Sequence, residues 1–127
     1  MIDIRQVRDE PDAVRKALAR RGVDPAEVDK LLDADARARR AVGLRDELRA
    51  TVRELSRRVG EARKAGDDTT ASTLTEESRR AAEDEKRVAA EADVAQSEVR
   101  HGLLWLPNLP SEDAPDGAGP EDNPVVR

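Results

Sequence analysis

Basic side chains at a regular spacing are the feature of this sequence with the clearest chemical potential. Arg45, Arg49, Arg53 and Arg57 follow one another at intervals of four residues. On an α-helix this spacing places neighbouring side chains roughly 6 Å apart along one face, so that the guanidinium groups could follow the phosphates of a nucleic acid. Further candidates are Arg58, Arg63 and Lys64, and more weakly Arg79, Arg80, Lys86 and Arg87. We predict that these cations form a phosphate-binding surface.

The same charges also have a structural interpretation, which stays open at this stage. Residues 37–64 carry ten Lys or Arg against four acids, whereas residues 67–101 carry five against ten. Two helices with these opposite charge balances would attract each other, and pairs within one helix, such as Arg58 with Glu54 or Arg87 with Glu83, are also spaced for an ion pair. We therefore expect some of the candidate cations to bind acids of the same chain.

Aromatic and catalytic residue types are nearly absent. The chain has no Phe, Tyr or Cys, and its single His101 and single Trp105 lie outside the basic segments. Single-stranded bases would find no aromatic rings to stack on, so a nucleic-acid partner is expected to be recognised by duplex shape and phosphates. One His without a nucleophile, a carboxylate pair or a Gly-rich loop provides no catalytic constellation. Asp67-Asp68 and Glu83-Asp84-Glu85 are expected to be solvated, and no catalytic residue, metal site or cofactor is predicted in this chain.

The elements that carry these residues are predicted to be helices. The chain has 127 residues, enough for one domain; 40% of them are charged and 20 are Ala. This composition is typical of long helices that pack along a narrow apolar seam. No Pro occurs between residues 26 and 106, and Asp24 followed by Pro25 is a typical helix start. An all-α fold is therefore expected.

Two heptad patterns predict a helical hairpin. Residues that are apolar or small, with the exception of Glu85, step by four and three along two seams. These are Leu48, Val52, Leu55, Val59 and Ala62 in the first and Leu74, Ser78, Ala81, Glu85, Val88, Ala92, Ala95, Val99 and Gly102 in the second. Gly66 and the aspartates after it can end one helix and start the next, which predicts a tip at about residues 65–70. We expect a long antiparallel two-helix coiled-coil hairpin over about residues 25–104.

The two ends of the chain are predicted to differ from the hairpin. A short N-terminal segment and a helix over about residues 11–21 are expected to pack at its base, against Leu31, Leu32, Leu103, Leu104 and Trp105. Residues 1–110 would form this helical domain. Residues 111–127 are rich in Pro, Gly and acids and predict an extended linker toward a further domain.

Targeting signals are not found in the sequence. No apolar run has the length of a membrane span, and the opening residues lack the features of a signal peptide. The absence of Cys fits a reducing compartment. We predict a cytoplasmic protein that does not bind membranes.

Several segments resemble the N-terminal domain of bacterial seryl-tRNA synthetase. They are the opening Met1-Ile2-Asp3-Ile4-Arg5-Gln6-Val7-Arg8-Asp9-Glu10-Pro11 with Arg20-Arg21-Gly22, the heptad hairpin, Leu106-Pro107-Asn108-Leu109-Pro110 and the final Glu121-Asp122-Asn123-Pro124-Val125-Val126-Arg127. The resemblance implies the helical arm of a class II aminoacyl-tRNA synthetase, a serine–tRNA ligase, which cradles the long variable arm of serine tRNA bound across a homodimer. It also implies that ATP and Mg²⁺ belong to a catalytic domain beyond residue 127, so that this chain alone would not be an enzyme.

Two other functions stay open beside this one. The hairpin could be a coiled-coil protein-interaction module without tRNA binding, although its tip is polar and the Arg row lies off the seam. The chain could also be a stand-alone truncated homologue with another partner. Its oligomeric state is not indicated by the sequence.

Overall fold

The structure, a computed structural model, describes residues 2–108. These residues form four helices and no strand: α1 (Ile4–Asp9), α2 (Pro11–Ala19), α3 (Pro25–Lys64) and α4 (Asp68–Trp105). Helices α3 and α4 pack closely as the two antiparallel arms of a hairpin, which confirms the predicted all-α fold. The linker predicted over residues 111–127 lies outside the described residues.

Local capping chemistry sets the ends of the long helices. Asp24 accepts a hydrogen bond from the Ala26 N–H at 2.9 Å, and Pro25 follows as the first residue of α3. Asp67 accepts one from the Thr70 N–H at 3.1 Å at the start of α4. Hydrogen bonds from Thr70 also hold the pKa of the Asp67 carboxyl below its ordinary value, because they stabilise the charged form.

The turn between α3 and α4 depends on one glycine. Gly66 has a φ of +74°, the Gly66 N–H donates to the Arg63 carbonyl at 3.1 Å, and the Asp67 N–H donates to the Ala62 carbonyl at 2.9 Å. These two bonds are those of a Schellman motif, which needs a left-handed residue after the helix. The predicted tip therefore lies at residues 65–67.

We expect Gly66→Ala to destabilise the protein and Gly60→Ala to stabilise it. A side chain at Gly66 must adopt the left-handed conformation, which costs about 1 kcal/mol or more. Gly60 lies inside α3 with nothing within 4 Å of an added Cβ atom, so alanine there should gain about 0.5–1 kcal/mol from helix propensity. Thermal unfolding followed by circular dichroism measures both changes, and equal shifts in the same direction would contradict the assigned turn.

Contacts group the chain into two compact units. The terminal unit comprises residues 2–35 and 97–108 of the described chain, and the hairpin unit comprises residues 36–96. Helices α1 and α2 lie wholly in the terminal unit, whereas α3 and α4 each contribute to both units.

The terminal unit has an aliphatic core. The side chains of Val7, Val14, Leu18 and Val28 are almost completely buried. Leu31 and Leu103 are also buried, with 3% and 8% of their surface exposed. The expectation that Leu104 and Trp105 pack in this core is wrong, because they are 64% and 85% exposed. Successive residues on a helix are about 100° apart, so the burial of Leu103 turns the next two side chains outward.

The two long helices approach each other closely at Gly102, a predicted seam position. A Cβ atom at Gly102 would lie 3.0 Å from the Leu31 Cδ1 atom. The absence of a side chain on α4 therefore lets the Leu31 side chain of α3 approach at this level of the terminal unit.

One ion pair of the terminal unit is largely withdrawn from solvent. Arg8 of α1 donates from Nε and Nη2 to the two carboxylate oxygens of Asp35 at 2.7 and 3.1 Å. The Asp35 side chain is only 5% exposed. The carboxylate raises the pKa of the Arg8 guanidinium through this hydrogen-bonded pair. The contact ties α1 to α3.

We expect Asp35→Ala to cost about 2 kcal/mol of unfolding free energy, because it leaves the Arg8 guanidinium without its carboxylate in a partly buried position. Asp29→Ala removes one of the two carboxylate partners of Arg15, at an exposed position, and serves as the control, with little change expected. Denaturant unfolding measures both. Equal losses in the two variants would mean that the Arg8–Asp35 pair has no special role.

The hairpin unit is held by the predicted seam. Leu55, Val59 and Leu74 form a buried cluster against which Ala81 packs. Val88, Ala92 and Ala95 continue the buried seam on α4, whereas Leu48, Val52 and Glu85 near its middle are only half-buried. The seam is thus apolar toward both ends of the unit and partly polar between them.

Candidate nucleic-acid interface

Helix α3 positions the predicted Arg row, and its heptad register decides how far each side chain reaches solvent. Arg45 lies three residues before Leu48, which places it in the seam itself. Its side chain is 21% exposed and its Nη2 atom lies 3.2 Å from the Asp46 Oδ1 atom. Of the Arg row, Arg45 is therefore the member least available to a partner.

Arg49 bridges the two helices of the hairpin unit. Its Nε atom donates to the Glu85 Oε1 atom at 2.7 Å. Glu85 occupies a half-buried seam position on α4. The pair provides a charged contact across the least apolar part of the seam. It is one of the contacts between candidate cations and acids of the same chain that the sequence predicted.

Arg57 and Arg79 are each held by two acids of their own helix. Arg57 contacts Glu54 and Glu61 at 2.5 Å, one turn before and one turn after it. Arg79 makes the same pattern with Glu76 and Glu83, also at 2.5 Å. The hydrogen bonds raise the pKa of both guanidinium groups and lower the pKa of the Glu54 and Glu76 carboxyls.

Glu54 accepts hydrogen bonds from Arg57 and not from Arg58, the partner expected from the sequence. Arg58 acts on the Glu54 carboxyl only as a nearby charge, which helps to lower the pKa of that carboxyl. Two longer pairs occur on α4. Arg80 Nε lies 3.5 Å from Glu76 Oε1. Arg87 Nη1 lies 3.4 Å from Asp84 Oδ1, so Arg87 pairs with Asp84 and not with Glu83 as expected, while Glu83 accepts a hydrogen bond from Arg79. Exposed pairs at these distances are weak and exchange readily with solvent.

The remaining candidates are solvent-exposed cations without an ion-pair or hydrogen-bond partner in the described part of the chain. They are Arg53, Arg58, Arg63, Lys64 and Lys86. An anion can bind these groups without displacing a carboxylate first. The structure therefore divides the predicted surface into five available cations and six that already contact acids.

A shallow groove of about 430 Å³ was missed by the sequence analysis. Arg37, Arg40 and Leu44 of α3 line it together with Glu91 and Val94 of α4. Leu44 and Val94 are 46% and 60% exposed. They are apolar residues outside the seam, and exposed apolar residues of this kind are the sequence feature from which the groove could have been predicted.

Other kinds of site are not formed by residues 2–108. No three His, Asp or Glu side chains in this range lie together as a metal-binding group. No helix in the same range is both long enough and apolar enough to cross a membrane. His101 and Trp105 are exposed and lie in the terminal unit.

The fold and this surface define the class of the protein as a helical hairpin that carries exposed cations and has no aromatic residue within residues 36–96. The family model of the seryl-tRNA synthetase N-terminal domain matches residues 1–110, and the chain belongs to this family. The chain is 37% identical over 127 residues to a serine–tRNA ligase from Kosmotoga olearia and 41% identical to one from Beutenbergia cavernae. These matches cover the whole chain but only 30% and 29% of the relatives.

A solved structure has the same fold. The crystal structure of seryl-tRNA synthetase from Pyrococcus horikoshii complexed with ATP superimposes with a TM-score of 0.82 at 25% identity, covering 92% of this chain and 26% of that one. The resemblance to the N-terminal domain of seryl-tRNA synthetase is confirmed. The chain thus spans about 30% of the length of the curated relatives it matches.

Proposed function

We propose that this chain is the tRNA-binding arm of a serine–tRNA ligase and that it cradles the long variable arm of serine tRNA. The observation that carries the proposal is the set of five exposed, unpaired cations on the hairpin unit of a seryl-tRNA synthetase N-terminal domain. Phosphate contacts position a protein on a duplex without recognising individual bases. With no aromatic ring along the hairpin unit, recognition rests on the shape of the RNA and its phosphates.

The unpaired cations are proposed as the first candidates for phosphate contacts, and the paired ones as weaker candidates. Binding through Arg49, Arg57 or Arg79 would exchange a carboxylate partner for a phosphate, which lowers the net gain. Arg45, Arg80 and Arg87 are intermediate cases with longer pairs. The acidic balance of residues 67–101 reduces the affinity further, so we expect a Kd in the micromolar range for this chain alone.

The remaining parts of the proposal concern the longer protein. Residues 1–110 are proposed as the tRNA-binding domain and residues 111–127 as a linker to a catalytic domain. That domain would bind ATP and Mg²⁺ and join serine to the tRNA in a cytoplasmic homodimer. This chain alone is expected to attach no serine to tRNA, which an aminoacylation assay with ATP and serine tests.

A second candidate function is protein binding through the groove that contains Leu44 and Val94. These exposed apolar side chains in the hairpin unit favour it, since apolar surface of this kind is common at protein interfaces. Binding of a partner there would be insensitive to the loss of the exposed cations.

Binding of the 127-residue chain to serine tRNA tests the proposed function. The comparison is between the intact tRNA and the same tRNA with its long variable arm trimmed, measured by fluorescence anisotropy. We expect at least tenfold tighter binding of the intact tRNA, because the trimmed molecule lacks the duplex on which the cations act. Equal affinity for the two tRNAs would reduce the interaction to unspecific charge attraction and would reject the proposal.

A further inference from the structure

We propose that the RNA duplex lies against only one of the two flanks of the hairpin unit, and that the charge of the opposite flank excludes it. The inference rests on the proposed function, since it names the side on which the tRNA is bound. The two flanks follow from the heptad register, with Val52 and Val59 at a positions and Leu55 at a d position of α3, and Ala92 at an a position of α4.

Two grooves, one on each side of the seam, define the flanks. In an antiparallel pair the e positions of the two helices meet on one side and the g positions on the other. Arg63 of α3 and Ser72 and Thr75 of α4, at e and b positions, line one shared groove. Leu44 of α3 and Glu91 of α4, both at g positions, line the groove on the other side. We call the first side the basic flank and the second the mixed flank.

The two flanks differ in charge. Within residues 36–96, the e and b positions hold six bases, Arg39, Arg49, Arg53, Arg63, Arg79 and Lys86, against three acids, Asp46, Asp68 and Asp93. The c and g positions hold five bases, Arg37, Arg40, Arg58, Arg80 and Arg87, against six acids, Glu47, Glu54, Glu61, Glu77, Asp84 and Glu91. Because phosphate oxygens are attracted or repelled within a Debye length of about 8 Å, the duplex should approach the basic flank.

The unpaired cations are unequally distributed between these flanks. Arg53, Arg63 and Lys86 lie on the basic flank, while Arg58 lies on the mixed flank. Lys64, at an f position, lies on the outer face of α3 between them. Arg58 thus has the same residue type, helix, exposure and lack of a partner as Arg53 and Arg63, and it differs in the flank that it occupies.

Single alanine variants of these three arginines test the proposal in the full 127-residue chain. We expect Arg53→Ala and Arg63→Ala each to weaken serine tRNA binding by about tenfold and to reduce the salt slope by about one. Arg58→Ala should weaken it by less than about twofold, since it makes no phosphate contact. Circular dichroism spectra check that the helix content is unchanged in all three.

A lysine added to each flank in turn provides a second test, in which a gain of affinity is expected on the basic flank only. Thr75 at an e position and Thr51 at a g position each donate a hydroxyl hydrogen bond to the carbonyl four residues earlier, Ala71 and Glu47 respectively. Thr75→Lys should tighten binding severalfold, whereas Thr51→Lys should leave it unchanged.

The outcomes separate this inference from the proposed function. If the intact tRNA is still preferred over the trimmed one but Arg58→Ala costs as much as Arg63→Ala, the flank assignment is overturned and the proposed function stands. If the wild-type chain does not prefer the intact tRNA, the proposed function itself fails. If none of the three alanine variants changes the affinity, the basic flank is not the binding surface.

Discussion

Raising the salt concentration from about 50 mM to about 200 mM is expected to weaken binding of serine tRNA by about 150- to 500-fold. Each phosphate that a cation neutralises releases about 0.9 counterions from a duplex, and four or five such contacts give this loss. The number of contacts follows from the exposed cations that have no partner among the described residues, with or without Arg58. Anisotropy titrations at several salt concentrations give the slope of log K against log salt.

The same slope counts the phosphate contacts that individual cations make. A variant that combines Arg53→Ala, Arg63→Ala and Lys86→Ala should retain a slope smaller by about three. A slope near zero for the wild-type chain would mean that apolar contacts dominate the binding. It would then favour the apolar groove at Leu44 and Val94, and not the cations, as the binding surface.

The largest expected loss of stability comes from Leu18→Ala. Leu18 is completely buried in the core of the terminal unit, and removing three buried carbon atoms with partial collapse of the cavity costs about 3 kcal/mol. Urea unfolding should show this loss as a lower midpoint, and the melting temperature should fall by roughly 10 °C.

Leu104→Ala is the matched control for this substitution. Leu104 belongs to the same unit but is 64% exposed, so its truncation should change the unfolding free energy by less than about 0.5 kcal/mol. A loss at Leu104 comparable to that at Leu18 would contradict the core described for the terminal unit.

The ends of the long helices could be predicted from the sequence because their causes are local. Asp24, Gly66 and Asp67 act through hydrogen bonds within a few residues of themselves, and such caps have recognisable residue types. The seam was predictable for a related reason, since the heptad repeat at Leu55 and Val59 needs only one face of each helix to be apolar.

The environment of the Arg row could not be predicted from its spacing alone. Steps of four residues advance about 40° around the helix beyond a full turn, so that Arg45 and Arg57 differ in direction by about 120°. Arg45 consequently lies in the seam while Arg57 lies outside it, between two glutamates. The seam position of Arg45 could have been found by extending the heptad by three residues from Leu48.

The sequence also could not predict which of two neighbouring arginines forms an ion pair with a given glutamate. Glu54 lies within helical reach of both Arg57 and Arg58, and the side-chain geometry decides in favour of Arg57. Likewise, the exposure of Trp105 follows from the rotation of α4 that buries Leu103. These details depend on packing rather than on local sequence.

Transfer of the long variable arm to another tRNA shows whether this hairpin recognises that arm. A tRNA with a short variable arm is compared with the same tRNA carrying the variable arm of serine tRNA, both titrated with the 127-residue chain at one moderate salt concentration. We expect the graft to tighten binding by about tenfold or more and Arg63→Ala to remove most of this gain. Equal affinity for the two tRNAs would contradict the claim that this hairpin recognises the long variable arm.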